Sequence, residues 1–588
     1  MEPNNSPMRT HLELKAELDE IRVGKEMCDG HLVRRPTHLV NRDVLGVALR
    51  HLQSRGEFFL APYTYYLDRE DHLLMQVSSK PDRDFGRLLR RLGLLADESH
   101  TSLVAKNLEN IAQNSPVRRV HRISFMSDTA IYLYANPTQM TRISTDAIAT
   151  VPVGTDNVVL IAEDNGGWPP LSELQPEIDR LRPLVDDSCT QLLPGLPLTD
   201  LLKTRFSRES IVSVEQAHQM FLTRILFMVA ASKYSLWPLT LFTGDQDTGK
   251  STGLELLLTF LNGEPGYVKT MPNREGDLIA SITNSSICAY DNIDGINFEA
   301  ARFKVLSDYL CHIATGAKLD MRKLFADNIC LTYEIHNHGC FTARVNPFTR
   351  PDVMRRTIHL EMDPPGGERI DKDTLKSRVL AQRPSMLAEF LLRAQNILRA
   401  HASFGAKTYT YDSEMAEYEA FTLRCAEYEG TLTETQNLWK TYMNQYRRSI
   451  TERNPIVLAI RLWLGSNANA GRQVTPTTLF AELQSVYKAC DLRFSYTSPT
   501  AFGGHIARNL PPLRIIGYAE VPTRNNKDYV FNPSPNELEV CKHLYRDAHD
   551  AALKGAIATF NRERPMQIMD DDDTSDLDDP VRAPGVIQ

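Results

Sequence analysis

Short apolar runs alternate with long amphipathic stretches along this chain, and the alternation changes character several times. Residues 1–40 are polar and irregular except for one short helix predicted over Leu12 to Ile21. Strand-like runs follow at Phe58 to Ala61, Thr64 to Leu67 and Leu73 to Val77, then helical spacing near Asp84 to Leu95 and Thr101 to Gln113. Strands return at Val120 to Phe125, Ala130 to Tyr134 and Val158 to Ala162, which predicts an α+β domain over 1–167. Gly166 to Pro170 and Leu193 to Pro197 mark a connecting segment, 168–205.

The next block, 206–365, predicts an α/β core. A helix over Val214 to Ser232 leads to a buried strand, Trp237 to Phe242, and then to an amphipathic helix, Thr252 to Leu261. Further strands are expected at Ser286 to Tyr290, at Cys340 to Asn346 and after a short turn or helix beginning at Arg350, before the break Asp363 to Gly367. Residues 366–450 carry long helical patterns, Leu375 to His401 and Glu414 to Arg448. Over 451–535, helices at Pro455 to Leu464, Thr477 to Ala489 and Thr500 to Asn509 precede strand-like runs at Leu513 to Val521 and Asp528 to Phe531. Three helices followed by a hairpin is the order of a winged helix. Its third helix and wing carry His505, Arg508, Arg514, Arg524 and Lys527, a set suited to phosphate contacts. The same architecture also serves protein–protein contacts. A C-terminal helix over 536–569 and an acidic tail, 570–588, complete the chain.

At 588 residues the chain is too long for a single core. Its charged fraction of 24% is ordinary for a globular protein, and no apolar run reaches the ~20 residues of a membrane span. Nine cysteines without a C-x-x-C pair suggest reduced thiols in a cytoplasm, not a disulfide framework or a zinc site. The net charge of −8 is concentrated in the tail, where Asp570 to Asp573, Asp576, Asp578 and Asp579 face Arg582 alone. The body is therefore nearly neutral, and charge argues neither for nor against nucleic acid. The tail lacks apolar periodicity and is expected to be disordered.

The chemistry concentrates at Gly244-Asp245-Gln246-Asp247-Thr248-Gly249-Lys250-Ser251, which matches G-x-x-x-x-G-K-[ST] at every fixed position and continues into Thr252. Strand, loop and helix in that order aim backbone N–H groups and a helix N-terminus at a polyphosphate. Lys250 then reaches the β- and γ-phosphates, and the Ser251 hydroxyl ligates magnesium. Asp291, ending the strand some forty residues on, suits the magnesium-organising acid, acting through the ion's water shell. The next residue is Asn292, where a glutamate would orient the attacking water. Asn cannot accept a proton, so Asp294 is the nearest substitute base. Thr342 or Asn346 can sense the γ-phosphate. Arg350, Arg355 and Arg356 follow that strand, and Arg322 is a further candidate for phosphate or DNA. Asp68 and Asp71, beside an N-terminal strand, raise metal-dependent primase chemistry, although no third acid or His completes a site there.

The order Gly244–Ser251, Asp291–Asp294, Leu306–Leu310, Ala314–Gly316, Arg322–Leu324, Phe341–Arg344 and Arg350–Val353 with Arg356 resembles ATP-binding proteins carried by prophages, genomic islands and other mobile elements. Their core is similar to the primase–helicases of helicase superfamily 3, within the AAA+ class, and the similarity is strongest over 206–365. The resemblance implies a multidomain α/β chain with a P-loop AAA+ core, ATP on Lys250 and Ser251, Mg2+ on Ser251 and Asp291, and Arg356 as an arginine finger. It also implies a homo-oligomeric, hexameric ring around single-stranded or forked DNA, without a membrane. The chain departs from the family in lacking a recognisable N-terminal primase and in carrying Asn292.

Three functions are consistent with these features. The first is a ring-forming ATPase that unwinds or translocates on DNA during replication of a mobile element. The second is an ATP-dependent assembly switch without unwinding, as in phage defence. The third, a small-molecule kinase, fits poorly with the Arg350–Arg356 element and the trailing winged helix.

Overall fold

In a computed structural model, the described residues run from 11 to 563, apart from 24, 29–30, 62, 81–82, 95–98, 162–167, 203–204, 208–211, 273, 296–300, 323–329, 349, 365–369, 454, 467–468, 493, 495, 497, 509 and 523–526. The acidic tail, Lys323, Leu324 and most of the Asp363–Gly367 break lie outside them. The chain forms two compact units, residues 1–444 and 445–588.

The first unit begins with α1 (His11–Val23), the hairpin β1 (Lys25–Cys28) and β2 (His31–Arg34), and α2 (Thr37–Arg55). The expectation of an irregular start is corrected here. Val40, Val44, Val47, Ala48 and Leu52 line the buried face of α2, at helical spacing. An antiparallel sheet, β3 (Gly56–Leu60), β4 (Thr64–Asp68) and β5 (Leu73–Gln76), is followed by α3 (Arg83–Arg91) and α4 (Ser99–Gln113). A four-stranded antiparallel sheet follows, with β6 (Ser124–Met126), β7 (Ile131–Asn136), β8 (Gln139–Ile143) and β9 (Ile148–Pro152). The expected strands at 120–125 and 158–162 reduce to β6 and a bridge between His121 and Leu160.

Residues 168–205 contain a helix, α5 (Leu171–Val185), and so are more than a connector. Next come α6 (Val214–Leu226), β10 (Leu239–Thr243), α7 (Lys250–Asn262), β11 (Lys269–Thr270), α8 (Glu275–Thr283), β12 (Ile287–Asp291) and α9 (Ala301–Thr315). The hairpin β13 (Ala317–Arg322) and β14 (Cys330–Ile335) precedes β15 (His338–Ala343), α10 (Pro351–Met354) and β16 (Thr357–Glu361). Ser213 and Gln216 form a capping box that starts α6, which gives way to 3-10 turns after Leu226, short of the expected Ser232.

Five strands form one parallel sheet in the order β11-β12-β15-β10-β16. Both β10 and β15 are buried along their whole length, as parallel strands covered on two faces must be. The register sets Thr243 opposite Ala343 and Tyr290 opposite Phe341. The carboxyl ends of β10, β12 and β15 therefore finish level, at the edge where open parallel sheets present their ligand crevice.

Helix α11 (Lys372–Phe404), capped by Asp371, packs on α5 and α7. Within it Glu389 and Arg393 form a 3.0 Å ion pair with no side-chain exposure. Glu389 accepts from Leu198 N–H at 2.8 Å and the Thr199 hydroxyl at 2.6 Å, while Arg393 donates to Ser188 Oγ at 3.0 Å. These bonds pin the segment between α5 and α6 onto α11. The pattern expected as one stretch over 414–448 divides into α12 (Ala416–Glu429) and α13 (Leu432–Arg453), because Gly430 adopts a left-handed φ of 77°.

The second unit holds α14 (Pro455–Ser466), α15 (Pro476–Ala489), α16 (Pro499–Arg508), α17 (Leu510–Ile515), the hairpin β17 (Tyr518–Pro522) and β18 (Lys527–Phe531), and α18 (Pro535–Glu563). The strand expected from Leu513 starts only at Tyr518. Leu513 is instead buried in α17, and Gly517 at φ 79° turns the chain into the hairpin. Trp463, Leu479, Phe502 and Phe531 share this unit's core.

Removing one partner of a fully buried ion pair leaves the other unneutralised, at a cost of about 3–5 kcal/mol. Glu389→Ala is therefore expected to lower the melting temperature well beyond exposed Glu173→Ala. Equal melting temperatures for the two variants would remove Glu389 as an anchor.

Candidate phosphate-loop site

The loop after β10 is shaped by its glycines. Gly244 sits at φ +149°, and a Cβ there would lie 2.3 Å from the Met362 carbonyl oxygen. Gly249 sits at φ +82° and is the N-cap of α7, with no side-chain cap. The N–H groups that open α7 lack acceptors within the helix. Asp245, Gln246 and Asp247 form an exposed tip, whereas Thr248 is buried and donates to Asp245 O at 3.0 Å. Lys250 is only 9% exposed, and its ammonium donates to Gly244 O at 2.8 Å and Asp245 O at 2.7 Å. Burial lowers its pKa, opposed by the fields of Asp294, Asp291 and Asp245, while Arg344 adds to the lowering. Thr252 is half-buried in the first turn.

Asp291, ending β12, gathers the neighbouring elements. Ser251 Oγ donates to its Oδ1 at 2.6 Å, and the Thr342 hydroxyl of β15 donates to the same oxygen. Asn292 Nδ2 donates to Oδ2 at 3.2 Å, and Asn292 N–H donates to Thr342 Oγ1 at 3.0 Å. Thr342 thus joins the cluster. Asn346 instead accepts from Phe348 N–H at 3.0 Å, within its own loop. Asn292 adopts φ +51°, a left-handed conformation that Asn tolerates better than most residues. The backbone therefore gives a reason for Asn here that is independent of catalysis. Asp294 Oδ1 accepts from Arg344 N–H and from Val345 N–H at 3.3 Å.

Three arginines differ sharply in their surroundings. Arg350 is held by Asp352, at 3.0 and 2.5 Å, and by Asp308 at 2.5 Å, and these bonds raise its pKa. Arg355 is exposed, with Glu414 at 2.8 Å. Arg356 is half-buried and turned onto the Asp352 carbonyl. The side chain of Arg322 lies outside the described residues, as do those of Arg508, Arg524 and Lys527, while His505 and Arg514 are exposed. Asp68 and Asp71 are both engaged by Arg55, Asp68 at 3.2 Å and Asp71 at 3.3 Å.

Two cations were not singled out from the sequence. Arg344 follows β15 directly and reaches Asp245 Oδ1 at 3.4 Å. Arg205 lies beside Gly249. A position at a strand's carboxyl end could have flagged Arg344. Arg205 is far from the loop in sequence and carries no local signal. Among the described residues no cluster of three or more His, Cys, Asp or Glu could hold a metal, and no helix is long and apolar enough to cross a membrane.

The family profile AICE_RepA, actinomycete integrative conjugative element replication protein, matches residues 213–449, less than half of the chain. No curated protein matches. The A-form apo structure of the NrS-1 C-terminal region is 11% identical, covers 83% of this chain and 99% of that one, and has a TM-score of 0.35. A second apo structure of that region is 12% identical, with coverages of 83% and 98% and a TM-score of 0.36. Overlap this low adds nothing to the fold described above. The profile spans α6 through most of α13, so it takes in the parallel sheet, the loop and Asp291.

Thr342 is fully buried and serves Asp291 and Asn292 together. Thr342→Val, nearly equal in shape, is expected to cost about 1–3 kcal/mol by taking the acceptor from the Asn292 N–H and one donor from Asp291. Thr342→Ser should restore most of the loss in a thermal melt. A valine variant as stable as wild type would break the cluster as described.

Proposed function

We propose that this chain is an ATP-binding, ring-forming ATPase with an AAA+ type core, acting on DNA in the replication of a mobile element. The carrying observation is the convergence of Ser251, Asp291 and Thr342 beside Lys250, at the carboxyl edge of a parallel sheet. The match of residues 213–449 to an integrative-element replication family supports the replication context.

The donor set fits magnesium, which prefers oxygen ligands and keeps several waters. Ser251 and Asp291 would hold it together with nucleotide oxygens, and the ion would supply charge neutralisation at the phosphates. Lys250 is desolvated and rests on loop carbonyls that a polyphosphate would outcompete. Arg344 adds a second positive group at the loop's mouth. Asp294, whose Oδ1 accepts from the backbone at the end of β15, would be the carboxylate that orients water, while Asn292 holds the turn between the two acids. Arg355, being exposed, is the better placed of the paired arginines to reach a neighbouring subunit, with Arg356 as the alternative. Exposed His505 and Arg514 in the winged-helix-like unit would meet nucleic-acid phosphates.

A second reading, an ATP-dependent assembly switch without unwinding, is favoured by Asn292 where a catalytic glutamate would stand. Turnover with and without single-stranded DNA, measured beside the mass in solution, separates the two readings. The replication reading expects DNA to stimulate hydrolysis, whereas the switch expects ATP to raise the mass with DNA-independent turnover.

Lys250→Ala is expected to abolish tight ATP binding while leaving the fold intact, because the lost ammonium is the group that meets the β- and γ-phosphates. Unchanged affinity would overturn the site. Asp291→Ala should eliminate turnover, and Asp294→Ala should slow it selectively. An Asp294→Ala rate equal to wild type places the base elsewhere.

Arg355→Ala and Arg356→Ala each test the trans group. The true finger variant keeps ATP binding, loses most hydrolysis and regains activity when mixed with Lys250→Ala, since an intact site then meets an intact finger. A chain that stays monomeric with ATP and DNA, and variants that never complement, would leave a monomeric nucleotidase.

A further inference from the structure

The nucleotide reading leaves one cation at the loop without a role. Arg205 is half-buried, and desolvation lowers the pKa of its guanidinium. Among the described residues no carboxylate pairs with it. A Cβ built on Gly249 would lie 3.5 Å from one Arg205 nitrogen and 3.8 Å from Cζ, so the guanidinium lies against the N-cap of α7. That is the positive end of the helix dipole. A partly desolvated cation at a positive helix end is unfavourable in the chain alone and becomes favourable when an anion lies between them.

The placement is set by the backbone. Phe206 bridges Met362 in antiparallel fashion, Ser207 N–H donates to Glu361 O at 2.9 Å, and Asp363 N–H donates to Arg205 O at 3.1 Å. Phe206 is buried against His218 and Phe221. Arg205 and the two residues that follow it are therefore pinned to the end of β16, whose Met362 carbonyl also closes on Gly244. Asp294, Asp291, Asp245 and Arg344 act on the Lys250 ammonium. Arg205 instead meets the loop at Gly249.

Resting on the nucleotide reading, we propose that Arg205 is a phosphate-binding residue that contacts the α/β-phosphate part of a nucleoside di- or triphosphate from the N-cap side of α7. In such loops the backbone cradles the α- and β-phosphates, while the lysine reaches the β- and γ-phosphates. A group at the N-cap consequently acts on phosphates that ADP and ATP share. It contributes equally to both ligands, unlike a group that reads the γ-phosphate.

The test is calorimetric titration of the full chain with magnesium and ADP, ATP or inorganic pyrophosphate, for wild type, Lys250→Ala, Arg205→Ala and Arg205→Lys. Melting temperatures without ligand are recorded alongside. Arg205→Ala is expected to weaken all three ligands by the same factor, roughly tenfold to a hundredfold as for a charged hydrogen bond, at an unchanged melting temperature. Arg205→Lys should recover part of the loss, as retained charge without the planar fork would. Unchanged ADP and pyrophosphate affinity in Arg205→Ala, with Lys250→Ala impaired, overturns this inference and leaves the nucleotide site standing. Loss confined to ATP also overturns it, because the contact would then be to the γ-phosphate. Wild-type protein that binds none of the ligands removes the nucleotide reading itself and this inference with it.

Discussion

One carboxylate, Asp291, holds three separately encoded segments at a single point. It accepts hydrogen bonds from Ser251 at the start of α7, from Thr342 in β15 and from the side chain of the following Asn292. Charge-assisted bonds of this kind are about twice as strong as neutral ones, and burial of Thr342 strengthens them further. The turn after β12 is then fixed by Asn292 N–H on Thr342, which brings Asp294 to the backbone at the end of β15. The candidate base, the candidate metal ligands and the loop lysine therefore share one framework.

That framework is braced from behind. Helix α7 begins at the site and is buried along most of its length. Its last carbonyls, Phe260 O and Leu261 O, accept from Arg383 of α11 at 2.8 and 3.2 Å, and burial brings that arginine's pKa down to about 10. Glu255, also in α7, pairs with Lys372 and Lys376 at 2.7 and 2.9 Å. The same α11 carries the buried Glu389–Arg393 pair that fixes the segment leading towards Arg205. The helical region thus braces the far end of α7 and the segment leading towards Arg205.

The core of this arrangement was legible in the chain because its signals are local. Buried strands, a Gly-rich octet and an acid at a strand end each declare themselves within a few residues. The break between α12 and α13 at Gly430 was not read, because the helical period runs on across it. The strands β8 and β9 were missed because their burial does not alternate cleanly, so no period of two appears. Arg205 and the differing roles of Arg350, Arg355 and Arg356 depend on tertiary placement. Asp308 and Asp352 consume Arg350, and Glu414, far along the chain, meets Arg355. Asn292 reads as a catalytic departure in sequence, yet its φ of +51° supplies a conformational cause.

The central claim is that the Lys250–Ser251–Asp291 framework holds a magnesium nucleotide. Equilibrium dialysis of the wild-type chain against ATP, with magnesium present and then chelated, tests it most directly. The account predicts saturable binding of one ATP per chain that weakens when magnesium is removed. Absence of saturable binding at millimolar ATP, with the protein folded and magnesium present, would contradict it.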